Sequence, residues 1–316
     1  MAKRIKRLAI LHSRTAARGG RHHMVSLIAE DLAAQGIEVV HLYDTRNYVP
    51  ADALFVHVDL SRVPARVQHF AERYPLHINA AARDIRKRTF ADGLLSKGDS
   101  YDAPVIVKSD LNYGGIPEYE AQSLATRALA KTFRLITRSP SVRILSKEDY
   151  QIFLSLADVP EGYFGPGNVV QKMFLEKDGG KNVLREYMFL GSLHYENIER
   201  SDSEIITEDE HVSCLPFTPH PRLIEVRRRL KLDYGKIDYV MVDGTPFIFD
   251  ANKTMGLGGK TGEAFGPGLR QMLRAFAGEI RRVLHDADSA SFTLAGGAGA
   301  AAEQTSRSVR SPHPAR

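Results

Sequence analysis

A chain of 316 residues with 43% apolar content is long enough for two or three lobes and has the composition of a globular protein in water. Its one cysteine, Cys214, excludes an intramolecular disulfide framework, and no apolar run approaches the length that crosses a bilayer. The formal net charge of +5 comes from basic residues dispersed among nearly as many acids, so no nucleic-acid partner is expected.

The opening Met1-Ala-Lys-Arg-Ile-Lys-Arg leads into a short apolar run and is unlike a signal peptide, so the expected location is cytoplasmic, with no membrane partner. "LAILH" then reads as a strand, "SRTAARGGRHH" as a polar loop, and "MVSLIAEDLAAQG" as a helix with Val25, Ile28 and Leu32 at helical spacing. "IEVVHLYD", "ALFVHVDL" and "PLHIN" continue as strands, with the helix-like "RVPARVQHFAERY" before the last of them. This alternation predicts an open, mostly parallel α/β domain. Two readings of the first loop, with Arg18, Gly19, Gly20, Arg21, His22 and His23, stay open: a holder of an anionic group or a solvated turn. The dinucleotide spacing G-x-G-x-x-G is absent, and adjacent histidines diverge too far to be a metal pair by themselves.

The middle of the chain changes character at "APVIVKSDLNYGG", an apolar strand ending in Lys108 and followed by a loop with Gly114 and Gly115. "EYEAQSLATRALAKTF" then has helix-forming composition. A strand-borne lysine beside a glycine loop suits polyphosphate, since the ammonium supplies charge and loop N–H groups can close over oxygens; taken alone it also fits a surface lysine beside a turn. "NVVQKMFLEK" reads as a strand running into a hinge-like segment, and after the turn "DGGKN" the strand "VLREYMFLG" carries Arg185.

In "LDYGKIDYVMVDGTPFIFDANKT" the pair Asp243-Gly244 predicts a tight hairpin turn. Pairing across it brings Asp238, near the start of one strand, beside Asp250 and Asn252 at the end of the next. Asp250 and Asn252 are two apart and share a face, giving an oxygen-rich cluster suited to magnesium. The following "GLGGKTG", with Gly256, Gly258, Gly259 and Lys260, lacks phosphate-loop spacing and reads as a loop covering substrate or phosphate. Glu204, Glu208, Asp209 and Glu210 read as a solvated acidic stretch, Cys214 as packing, and the Ala/Gly/Ser-rich tail from about Ser289 as disordered.

Lys108 with its glycine loop, "VVQKMFLE", Arg185 and the acid followed by acid-x-Asn pattern of Asp238, Asp250 and Asn252 together resemble the ATP-grasp superfamily. The likeness covers roughly residues 75–280 and looks nearest to the branch of ribosomal-protein glutamate ligases and glutathione synthetases. It implies an α/β fold with an N-terminal open domain (1–90), a small ATP-binding lobe (91–166), a large ATP-binding lobe with the metal site (167–288) and the tail (289–316). It further implies that Lys108 contacts nucleotide phosphate, that Gly114 and Gly115 cover it, and that Gln171, Lys172, Met173 and Phe174 form the adenine hinge. Glu176 and Glu186 both match the ribose position. Asp238, Asp250 and Asn252 match ligands of magnesium, with manganese also compatible, and Arg185 matches an arginine that steadies the transferred phosphate or a substrate carboxylate. Lys87 is a candidate for an earlier nucleotide-contacting lysine. Two departures stand out: Asp250 where a glutamate is commoner, and "KTMGLGGKTG" after Asn252 in place of Asn-x-x-Pro-Gly.

The implied function is ATP-dependent joining of a carboxylate to an amine or a thiol through an acylphosphate, on small-molecule or peptide substrates. Lys108 and Arg185 would stabilise charge during phosphoryl transfer. Two other readings remain: a phosphotransferase using the same nucleotide site, and a nucleotide-binding accessory protein without turnover.

Overall fold

The computed structural model describes residues 6–14, 23–121, 149–206, 210–257 and 266–286. The expectations for Arg18 to His22, for Glu208 and Asp209, for Gly258 to Lys260, for most of the helix-forming stretch after Glu118 and for the tail lie outside the described residues. The chain adopts the α/β class expected from its sequence, built on three sheets.

The first sheet is parallel, with strands β1 (Arg7–His12), β2 (Glu38–Leu42), β3 (Ala53–His57) and β4 (His77–Ile78) in the order β2-β1-β3-β4. Period-two alternation splits β1 between two cores. Leu8 and Ile10 pack with helix α1 (Met24–Ala34), whose Val25, Ile28 and Leu32 are fully buried as their spacing predicts, while Ala9 and Leu11 pack with Val67 and Phe70 of helix α2 (Ala65–Ala71). Each such aliphatic side chain contributes about 1.5–3 kcal/mol over leaving it in water.

The second sheet is antiparallel: β5 (Leu94–Leu95), β6 (Val105–Ser109), β7 (Gln151–Phe153) and β8 (Asn168–Lys172) in the order β5-β8-β6-β7. After β6 the short helix α3 (Ile116–Ala121) begins. β8 falls within the unit that the sequence division began at 167, yet its hydrogen-bonded neighbours β5 and β6 fall within the unit 91–166.

The third sheet holds β9 (Glu176–Asp178), β10 (Lys181–Leu190), β11 (Leu193–Ser201), β12 (Glu210–Pro216), β13 (Tyr234–Val242) and β14 (Thr245–Asn252). Its order is β12-β11-β10-β13-β14, with β9 also paired to β10. Helix α4 (Pro221–Leu230) covers one face through Leu223, Val226 and Leu230, against Tyr187, Ile237, Tyr239 and Ile248. The last described helix, α5 (Pro267–Asp286), sets Phe276, Ala277 and Ile280 into the same core as Leu8, Ile10 and α1, so it completes the first domain rather than the third sheet alone. Among the described residues no helix is long and apolar enough to cross a membrane.

Candidate active site

The hairpin β13–β14 turns at Asp243 (φ 49°) and Gly244 (φ 78°), both left-handed as the tight two-residue turn requires. Asp238 and Asp250 are register partners, and Asn252 stands opposite Lys236. A bulge between Asp238 and Tyr239 makes Phe249 the extra residue on β14 and lets both Asp250 and Phe249 reach the same cleft. The strand ends approach closely because residue 235 is glycine: with φ at 154°, a Cβ there would lie 2.2 Å from the carbonyl oxygen of Asn252.

Two lysines neutralise the two aspartates. Lys236 Nζ lies 3.3 Å from Asp238 Oδ1 and also pairs with Glu186, whose other oxygen accepts from Asn197 Nδ2 at 2.7 Å. Burial opposes the charge on Lys236, but Asp238 and Glu186 outweigh it and hold the ammonium well above its ordinary range. Lys87, only 1% exposed, sets Nζ 3.2 Å from Asp250 Oδ1 and donates to Leu111 O at 3.4 Å. Its burial is likewise overcome by Asp250.

Between the second and third sheets opens a cleft with a cavity volume of about 110 Å³. Lys108, Gln171, Lys172, Met173, Phe174, Asp238 and Asp250 all line it. Lys108 Nζ sits 4.8 Å from the centroid of the Phe249 ring, and Lys172 Nζ 4.7 Å from that of Tyr101. At the expected hinge, the N–H groups of Lys172 and Met173 already donate to Gly93 O (2.8 Å) and Pro104 O (2.9 Å), and the Gln171 amide donates to Asp92 O (2.7 Å). Phe174 and Leu175 follow as exposed residues at the cleft, where Phe174 meets Phe247 edge to face at 4.7 Å.

Other expected residues are not brought to the cleft. Arg185 and Glu186 alternate across β10, and Glu186 shares the face of its register partner Asp238. Arg185 thus lies on the opposite face, where it grips Glu176 through both oxygens (2.7–3.0 Å) and reaches Glu196 at 3.3 Å, while Glu176 also accepts the N–H of Met241 at 2.7 Å. These bonds occupy Arg185 and Glu176 as braces between strands. Glu186 is the residue of the pair that stands next to the aspartates, through Lys236. Gly114 and Gly115 follow Tyr113 in an unbroken left-handed run (φ 46°, 62° and 77°), which the two glycines adopt without steric cost. They are buried rather than open to the cleft, and Asn112 ties their loop to β14 by donating to Ala251 O (3.1 Å) and Asn252 Oδ1 (3.0 Å).

A second polar cluster adjoins the hairpin end. His12 and His57 end β1 and β3 as register partners, and the His57 ring lies 4.9 Å from that of His23. Burial pushes His12 down to about 4, with His41 and His23 adding to the effect, and holds His57 well below the usual range. Lys253, one residue past Asn252, is pushed down to about 7 by burial against the pull of Asp59 and Glu118. Thr254 donates to Asp59 Oδ1 at 3.0 Å. Sequence reasoning singled out His23 but missed His12, His57, Lys253 and Lys236. The i and i+2 spacing of Lys236 and Asp238 was the available signal for the last of these.

Two carboxylates and an amide oxygen on one strand pair are hard donors that fit a divalent cation such as magnesium or manganese, with Lys87 and Lys236 competing for the same oxygens. Among the described residues no three His, Cys, Asp or Glu side chains form a metal group by themselves, so Asn252 would have to serve as the third ligand.

No family model matches the sequence, and no curated protein does. Solved structures are similar to the chain over most of its length at low identity. The macrocyclase MdnC bound with precursor peptide MdnA, from Microcystis aeruginosa MRC, is 12% identical over 87% of this chain and 99% of its own, with a TM-score of 0.44. The ATP-grasp ligase PsnB complexed with minimal precursor is 11% identical over 86% and 99%, with a TM-score of 0.47. A D-alanine-D-alanine ligase from Bacillus anthracis is 13% identical over 88% and 99%, with a TM-score of 0.37.

Proposed function

We propose that this chain is an ATP-dependent ligase of the ATP-grasp kind that activates a carboxylate and joins it to an amine. The observation that carries the reading is the cleft itself. Lys108 comes to it from the second sheet and Asp238 and Asp250 from the third, with the exposed edge at Phe174 and Leu175 between them.

On this reading the adenine ring lies along Phe174 and Leu175 and the phosphates run toward Lys108, whose ammonium opposes the charge that develops on transfer. Asp238, Asp250 and Asn252 would hold the divalent cation, which when bound neutralises phosphate oxygens. A carboxylate oxygen of the substrate attacks the γ-phosphorus, the bond from that phosphorus to the bridging oxygen breaks, and ADP leaves. The amine then attacks the acyl carbon, phosphate departs with the C–O bonding pair, and the nitrogen gives up its proton. Lys236 and Lys87 hold the aspartates in register meanwhile, and Asn112 holds Asn252.

The test is ADP release that requires both a carboxylate and an amine, followed by trapping with hydroxylamine. A ligase yields a hydroxamate from the acid that stimulates ADP release. A stable phosphorylated product without hydroxamate would replace this reading with a phosphotransferase, and no ADP release with any acceptor would leave only nucleotide binding.

A further inference from the structure

The cleft wall carries a buried polar side chain that the proposed reaction leaves unused. Asn182, near the start of β10, is 7% exposed and lines the cleft, and its Oδ1 is buried with no hydrogen-bond partner among the described residues. The orientation of its amide is fixed. Nδ2 donates to Ser203 O at 3.0 Å, and a carbonyl oxygen only accepts, so turning the amide over would set two acceptors against each other. The unpartnered atom is therefore an acceptor in the wall of a cavity. A buried acceptor without a donor is unfavourable, and a ligand that brings the donor removes the penalty.

Register shows which part of a ligand would meet it. Asn182, Leu184 and Glu186 share one face of β10, and Glu186 is the register partner of Asp238. Four residues of antiparallel strand separate Asn182 from that row, about 14 Å at about 3.4 Å each. An extended nucleoside triphosphate spans that order of distance from its base to its terminal phosphate. With phosphates at Asp238 and Asp250, the base arrives at Asn182. Met173, Phe174, Leu184 and Ile206 line the same cleft with apolar side chains, which hold a flat ring but do not tell one base from another.

We propose that Asn182 Oδ1 accepts a hydrogen from the exocyclic amino group of the base, which makes Asn182 the residue that selects adenine. The inference deepens the ligase reading and rests on it for the presence of a nucleotide. Adenine carries a donor at C6, where guanine carries an oxygen that would stand acceptor against acceptor with Oδ1. The ribose hydroxyls are donors too, but on this register they lie nearer the phosphates and short of Asn182.

The full chain with magnesium is titrated calorimetrically with ATP, with purine riboside triphosphate, which carries only hydrogen at C6, with GTP and with 2′-deoxy-ATP. ATP should bind about tenfold tighter than purine riboside triphosphate, the scale of one hydrogen bond to a buried acceptor, and GTP no tighter than purine riboside triphosphate. In Asn182→Leu, close in shape but without polar side-chain atoms, the ratio of ATP to purine riboside triphosphate affinity should fall to about one. Purine riboside triphosphate itself should bind that variant as tightly as it binds the wild type, and the effect of removing the 2′-hydroxyl should be the same in both. Should Asn182→Leu fail to fold, Asn182→Ser, which draws the acceptor back from the cleft, makes the same comparison. Equal affinities for ATP and purine riboside triphosphate in the wild type would overturn the proposal, as would a ratio that survives in the variant. So would a uniform weakening of every nucleotide in the variant, which marks a packing role, or a 2′-hydroxyl effect that vanishes with Asn182, which marks a ribose contact. If ATP binds without discrimination at C6, the ligase reading stands and Asn182 alone loses its role. If C6 is discriminated through Asn182 but no acid yields a hydroxamate, the ligase reading falls and the adenine contact remains; if no nucleotide binds, both fall.

Discussion

At the end of the hairpin, buried charges come in matched sets: Lys236 with Asp238 and Glu186, and Lys87 with Asp250. One residue beyond Asn252 the matching stops. Among the described residues Lys253 Nζ, His57 Nε2 and Tyr234 Oη have no hydrogen-bond partner, although all three side chains are buried. In the first region removing Asp250 strands Lys87, while removing Asp238 leaves Lys236 with Glu186.

The strongest way to break this contrast is Asp250→Asn. It should lower turnover by about 100-fold or more, as loss of a metal-holding charge does, and should also cost about 3 kcal/mol of stability by leaving Lys87 buried and unpaired. Asp238→Asn should slow turnover similarly with a smaller loss of stability, since Lys236 keeps Glu186. Rates together with urea midpoints decide the matter, and equal stability for the two variants would mean that Lys87 does not depend on Asp250.

The second cluster should respond to pH with a defined sign. His12 titrates at about 4 in the folded chain against an ordinary 6.5, so between these values the unfolded chain takes up a proton that the folded chain refuses. Its contribution is complete above pH 6.5 and is lost as pH falls toward 4, by about 1.4 kcal/mol per pH unit. Burial gives His57 the same sign. Urea midpoints at pH 7 and pH 5 test this, and His12→Gln should flatten the slope. A midpoint unchanged across that window would mean that these histidines are charged in the fold.

A smaller effect is expected in the cleft. Lys108→Ala should weaken ATP binding about tenfold, the scale of one charge-assisted contact, while Lys97→Ala should change binding and stability by less than about 0.5 kcal/mol, because its pair with Glu161 is exposed on both sides. Titration calorimetry on both variants gives the comparison, and similar losses would remove Lys108 from the nucleotide site.

The hairpin was legible in the sequence because Asp243-Gly244 fixes the turn, and a fixed turn fixes which side chains meet. The first domain was legible through the spacing of Val25, Ile28 and Leu32. Arg185 was not, since its face depends on which residue of β10 pairs with Asp238, and that register joins strands far apart in the chain. The cluster of His12 and His57 depends on β1 lying beside β3, which local pattern does not encode. Lys253 was passed over because its identity as an isolated charge lies in what surrounds it.

The packing of α5 on β1 and α1 bears on how the protein is made. Leu8, Ile10 and α1 share their core with earlier residues such as Phe55, Ile78 and Tyr234, and Phe276, Ala277 and Ile280 of α5 join it last in chain order. Completing this core therefore depends on sequence-distant contacts, the kind that form slowly. A translation product that stops ahead of Pro267 would carry that apolar face permanently and should be recovered as aggregate rather than as a trimmed monomer.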